Sequence, residues 1–297
     1  MIPLFDLHCD TFLELYKKGQ KIEKNNLHIS LDKVVSFAPY IQICAIWSDY
    51  RLSNDEAYNN ALEVINYASK EKIDFMTNLN YLEKNNFLLG IEDARLLNND
   101  LNRLDELYSM GTRVLTLNWK GGNIIGGGWD TSLPLTQFGK SVIKHSSELG
   151  IKIDVSHSSF ETFYDVIRLS EKLNFIPIAS HSNSYSMCEH KRNLTDEQIK
   201  ILCEQKSIIG ISMVSEHLGS NSSIDTIIKH IHHMLSLGGE NTIALGCDFD
   251  GTSNLPYKIN SISDLTELNL RIIKEFGNVI ARKIFFENAF SFFSNKL

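Results

Sequence analysis

Eight short apolar runs recur along the chain, most of them separated by helix-forming sequence, and that alternation calls for a parallel sheet flanked by helices. The runs occupy residues 2–7, 40–47, 87–91, 113–117, 151–155, 176–180, 207–212 and 242–247. Helix starts stand between them as capping boxes, Ser53-x-x-Glu56, Ser158-x-x-Glu161 and Thr195-x-x-Gln198, and Gly150 supplies a helix stop. Eight is the strand number that closes a (β/α)8 TIM barrel. The expected fold class is therefore α/β, with residues 1–297 forming a single barrel domain that ends in two closing helices. Five prolines and the lack of a Gly/Ser-rich run leave no linker at which to divide the chain.

A barrel of this kind builds its active site at the C-terminal ends of its strands, so the runs predict where chemistry should appear. The first run leads into His8-Cys9-Asp10, in which an imidazole and a carboxylate two residues apart point the same way and reach one ion. The third run ends in Glu92, the fifth in His157, the sixth in His181 and the eighth in Asp248. A single histidine at a strand end is ordinary packing or capping. Five strand ends that offer nitrogen or oxygen donors to one rim point to a metal site instead. The donor set exceeds what one tetrahedral zinc requires, which suggests a two-ion centre with a bridging carboxylate, and Glu92 is the candidate bridge.

The remaining features narrow the function by exclusion. A net charge of −7 with no cluster of Lys and Arg argues against nucleic acid as a partner. No apolar run approaches the roughly 20 residues that span a bilayer, so no membrane partner is expected. The five cysteines are odd in number and lack CxxC spacing, which fits reduced thiols and a cytoplasmic location. Gly121, Gly122, Gly126, Gly127 and Gly128, between Trp119 and Trp129, match no phosphate-loop pattern and are expected to form a mobile loop beside a pocket. Asp250 is expected to brace the turn after the eighth strand. His230, His232 and His233 share one helix and read as packing or surface residues.

The series His8-x-Asp10, Glu92, Asp154-Val155-Ser156-His157, Ser180-His181-Ser182, Arg192-Asn193 and Asp248-Phe249-Asp250-Gly251 resembles the membrane (renal) dipeptidase family of zinc metallopeptidases. That family lies within the amidohydrolase superfamily, and the likeness covers nearly the whole chain. The resemblance implies two Zn2+ ions, one held by His8 and Asp10, the other by His157 and His181, with Glu92 and a water or hydroxide bridging them. It further implies that Asp248 contacts that water as the catalytic proton acceptor, and that Arg192, with Asn193 beside it, meets the carboxylate of a dipeptide substrate. A homodimer is implied by analogy.

One position departs from the family pattern. Where the family continues Leu-Thr-Leu-Thr with a substrate-binding histidine, this chain reads Leu115-Thr116-Leu117-Asn118-Trp119. An indole donates one hydrogen bond and carries no charge near neutral pH, so either Asn118 or a rearranged loop supplies the donor, or the substrate differs. Two alternatives to a dipeptidase follow. One is a metal hydrolase acting on a lactam, lactone, ester or acylated amino acid. The other is a non-catalytic relative that binds metal and peptide.

Overall fold

Near-continuous apolar sequence suits strands that are buried on both faces, and the parallel sheet of this protein is of that kind. The computed structural model describes residues 1–80 and 82–294, so the last three residues of the expected domain lie outside it. The strands are β1 (Ile2–Cys9), β2 (Phe37–Trp47), β3 (Asn85–Glu92), β4 (Thr112–Thr116), β5 (Lys152–Asp154), β6 (Ile209–Ile211) and β7 (Ile243–Leu245). They pair in parallel in the order β5-β4-β3-β2-β1-β7-β6.

The expected strand at residues 176–180 is reduced to two bridges, Asp154 to Ile178 and Ala179 to Ile209. Pro177 is the reason, because it has no N–H to give a ladder. The bridges nevertheless join the sheet's two edges. Ile178 N–H donates to the Ile153 carbonyl at 2.8 Å and Ala179 N–H to that of Ile208 at 3.0 Å. The curled sheet closes as an α/β barrel of the TIM type, from seven strands and one bridged segment. Gly210 and Gly246 permit that closure, since a Cβ on either would stand 1.9 or 1.8 Å from the Ser180 carbonyl oxygen.

Helices α1 (Thr11–Lys18), α2 (Asn54–Lys70), α3 (Asn102–Ser109), α4 (Gln137–Leu149), α5 (Phe160–Leu173), α6 (Asp196–Glu204), α7 (Ser215–Leu218), α8 (Ile224–Ser236), α9 (Leu265–Arg282) and α10 (Asn288–Ser294) complete the chain. Ser53 and Thr195 form the expected capping boxes with Glu56 and Gln198. The third box does not form. Ser159, the residue with extended backbone just before α5, is the cap, and its Oγ accepts the Thr162 N–H at 3.0 Å. Ser158 and Glu161 are left free of the cap.

Two apolar layers hold the barrel. Helices cover its outside, while Phe5, Leu7, Ile41, Ile43, Leu88 and Val114 fill its inside. Phe293 of α10 closes the lower end, its ring 5.3 Å from that of Phe5. Between Asp6 and Cys9, β1 carries one residue more than β2. The bulge reverses the side-chain alternation, so His8 turns inward like Phe5 and Leu7 and meets the upper rim. Among the described residues no helix is long and apolar enough to cross a membrane.

Candidate metal centre

At the upper rim the strand ends converge as the spacing predicts. His8 lies in β1 with Asp10 just beyond it, Glu92 ends β3, His157 follows β5, His181 follows the bridged segment and Asp248 follows β7. The two oxygens of Glu92 face different partners. Oε2 stands 3.5 Å from His8 Nε2, whereas Oε1 stands 2.9 Å from His157 Nε2 and 3.6 Å from His181 Nε2. His8 Nε2 is also 3.7 Å from Asp10 Oδ2 and 3.8 Å from Asp248 Oδ1. Ligand atoms on a tetrahedral zinc lie about 3.3 Å apart, so these separations match a set that shares ions. Two groups, His8 with Glu92 and His181, and His8 with Asp10 and Asp248, bring their donor atoms within 4.8 Å of one another.

Hydrogen bonding fixes which nitrogen each imidazole offers. Ser180 Oγ donates to Asp154 Oδ2 at 2.5 Å, so it accepts from His181 Nδ1 at 2.7 Å. His157 Nδ1 donates to the Trp119 carbonyl at 3.2 Å. Both rings therefore carry the proton on Nδ1 and turn bare Nε2 lone pairs toward each other across 2.8 Å. Two facing lone pairs beside a carboxylate call for a cation. His8 Nε2 and Asp10 Oδ1 are buried without a hydrogen-bond partner, which also fits a bound ion. Asp154, quoted in the sequence pattern without a role, emerges as the anchor. It accepts from Thr116 Oγ1 at 2.6 Å, from Ser180 Oγ, and from the N–H groups of Ser156 and Ser180 at 2.9 Å each.

Burial lowers His8, but Glu92 and Asp10 beside it overcome that and push its imidazole well up, whereas the other two imidazoles have the electrostatics of metal ligands. Burial pushes His157 down to about 4 and His181 well below the usual imidazole range, keeping both rings neutral as metal ligation requires. Burial also opposes charge on Glu92, yet the His8 imidazole beside it holds its carboxyl well below the usual carboxylate range. Burial raises Asp10 to about 6 and pushes Asp248 well up. His157 (φ 67°) and Asp248 (φ 60°) sit in left-handed backbone, of the kind that concentrates at functional sites. The neighbouring thiols stay out of the set. Cys9 Sγ packs 3.9 Å from Cys44 Sγ, and burial pushes both Cys9 and Cys247 well up.

Two cavities meet at His157. One, of about 240 Å³, holds Arg192 and Asn193. Arg192 is 5% exposed, donates from Nη2 to the His181 carbonyl at 3.2 Å, and has no partner for Nε. Asn193 spends its amide N–H groups on the carbonyls of Cys188 (2.9 Å) and His217 (2.8 Å), leaving its buried oxygen without a partner. The other cavity, of about 150 Å³, contains Asp10, Glu92, Asp248, Trp47 and Trp119. Trp119 stacks on Tyr50 at 6.0 Å and packs on Trp47 at 5.0 Å.

Three sequence expectations about this rim are resolved by the coordinates. Asn118 does not supply the missing donor. It is fully buried, and its amide donates to Asn123 Oδ1 and the Gly126 carbonyl, both at 3.0 Å. The glycine-rich stretch borders the Arg192 cavity through Trp129, but it is tied down rather than loose. Gly128 N–H donates to Gly121, and Asn123 donates to Asp93 Oδ1 at 2.7 Å. Asp250 braces its turn, accepting from Thr11 Oγ1 and the His28 N–H at 2.6 Å each.

Comparison with known proteins agrees with the geometry. The model of the membrane dipeptidase family, peptidase family M19, matches residues 1–295. An uncharacterised protein of the pqqA 5' region of Klebsiella pneumoniae is 30% identical over 192 residues, 60% of this chain and 69% of that protein. The fold is shared with dipeptidase AC, a metallopeptidase of family M19, at TM-score 0.90 and 22% identity over 99% of this chain and 98% of that one. It is shared equally with a metallopeptidase from Rhodobacter sphaeroides liganded with a phosphinate mimic of the dipeptide L-Ala-D-Ala. There the TM-score is 0.90 and the identity 21%, over 100% and 99% of the two chains. A family match over essentially the full length makes this chain a member of the membrane dipeptidase family, a metallo-dipeptidase.

Proposed function

We propose that the protein hydrolyses free dipeptides with two Zn2+ ions at the rim centre. His8 and Asp10 would hold one ion, His157 and His181 the other, and the two oxygens of Glu92 would reach both. Bound divalent ions supply Lewis acidity, which ionises a water near neutral pH and polarises a carbonyl. The chain's own groups do the rest. Asp248 takes the proton of the attacking water and passes it to the leaving amine. Arg192 grips the substrate's carboxylate, and the Asp154 network holds His181 in its tautomer.

The observation that carries this reading is Arg192, a buried guanidinium with an unpartnered Nε in the cavity that meets the donor set at His157. It lies close enough to the centre to touch the carbonyl of His181. The other cavity opens on the donor set itself through Asp10, Glu92 and Asp248. A dipeptide whose carboxylate is held by Arg192 has its one peptide carbonyl a residue away, on the side of the donor set.

Trp119 on the cavity wall, with Asn118 turned away, supports a second reading: hydrolysis of a lactam, lactone, ester or acylated amino acid. Assay of zinc-loaded protein on dipeptides of both chiralities, beside those compounds, separates the two. Dipeptide turnover is expected, and turnover confined to the non-peptide set contradicts the proposal. Cytoplasmic residence and a homodimer complete the proposal, to be tested by cell fractionation and analytical ultracentrifugation.

A further inference from the structure

Four residues that line the Arg192 cavity each carry a buried polar atom without a hydrogen-bond partner: Ser158 Oγ, Glu161 Oε2, Arg192 Nε and Asn193 Oδ1. Such atoms are nearly always paired in folded proteins, so four around one space mark it as shaped for a polar ligand. Arg192 is the donor among them and answers a carboxylate. The hydroxyl, the amide oxygen and the carboxylate offer acceptors, and a carboxylate calls for a cation. Lys191 stands exposed at the rim and is not bonded to that buried oxygen. Trp129, Phe160 and Tyr185 line the same space, surfaces that suit an aliphatic stem ending in a positive charge. Placement in the first turn of α5 accounts for an acidic residue on any face of that helix, but not for one in the lining of this cavity.

We propose, resting on the dipeptidase reading, that Glu161 pairs with a cationic side chain on the C-terminal residue of the substrate. The enzyme then favours dipeptides ending in lysine, ornithine or arginine. Arg192 holds the α-carboxylate of that residue, so the side chain leaving the same Cα is the part that shares the cavity with Glu161. Ser158 Oγ and Asn193 Oδ1 accept the cation's remaining N–H groups.

The test compares alanyl-lysine with alanyl-norleucine, which has the same stem and no charge, in both configurations of the second residue. The wild-type protein should show kcat/KM about tenfold or more higher for the lysine member of the preferred configuration, expressed mainly in KM. Glu161→Gln, which keeps the side chain's shape, should bring that ratio close to one. Equal rates for the two peptides in the wild type, or an undiminished ratio in the variant, overturn the proposal. Calorimetric binding of the same pair reads the cavity separately from the chemistry. A Kd that depends on Glu161 with no turnover would sink the dipeptidase reading and keep this one. Turnover without charge preference would do the reverse.

Discussion

At the scale of single residues, the account turns on Glu92, whose two oxygens serve different imidazoles. Glu92→Ala is expected to remove metal and activity together, measured by elemental analysis and dipeptide assay. Asp248→Asn should retain metal while losing about 10²-fold to 10⁴-fold in turnover, as expected for a proton carrier. A fully active Asp248→Asn protein refutes the assigned role. Asp154→Asn tests the anchor behind His181. Replacing a carboxylate that accepts four hydrogen bonds should weaken metal affinity about 10-fold to 100-fold, measured by competition with a chelator. The candidate ligands were legible because each stands where an apolar run stops. Asp154 and Asn118 were not, since their partners come from other segments that only the folded chain brings near.

At the scale of elements, apolar runs and capping signals foretold most strands and helices, and the misses have local causes. Pro177 thinned one strand to two bridges, and the adjacent serines put the expected cap of α5 one residue early, at Ser158 instead of Ser159. Helix α8 carries a prediction of its own. His230 accepts the Ser184 N–H on Nδ1 at 3.1 Å and lies 3.3 Å from the Leu218 carbonyl through Nε2, and burial pushes its imidazole down to about 4. Its folded value lies below the ordinary 6.5, so on acidification the unfolded chain takes up the proton first. Its contribution is thus complete above pH 6.5 and lost as the pH falls to about 4. Urea unfolding of His230→Gln should show a flatter decline of stability with pH across that window than the wild type. An identical slope would mean that the imidazole is not held neutral.

At the scale of the whole molecule, segments from both ends of the chain reach the same rim, so ion binding and folding are linked. Ions that bind only the folded barrel add RT ln(1 + [L]/Kd), about 2.7 kcal/mol at a hundredfold excess over Kd. Chelation should therefore lower Tm by several degrees and zinc should restore it, as read by calorimetry. The barrel was legible as a whole because alternating strands and helices admit few topologies. The meeting of two cavities at His157 was not, because their walls combine side chains of several strands, helices and loops that only the folded chain brings together. The most direct test of the paired centre is anomalous diffraction at the zinc edge from crystals of the zinc-loaded protein. Two peaks are predicted flanking the Glu92 carboxylate, one beside His8 and Asp10, the other beside His157 and His181. A single peak, or peaks away from Glu92, would contradict the account.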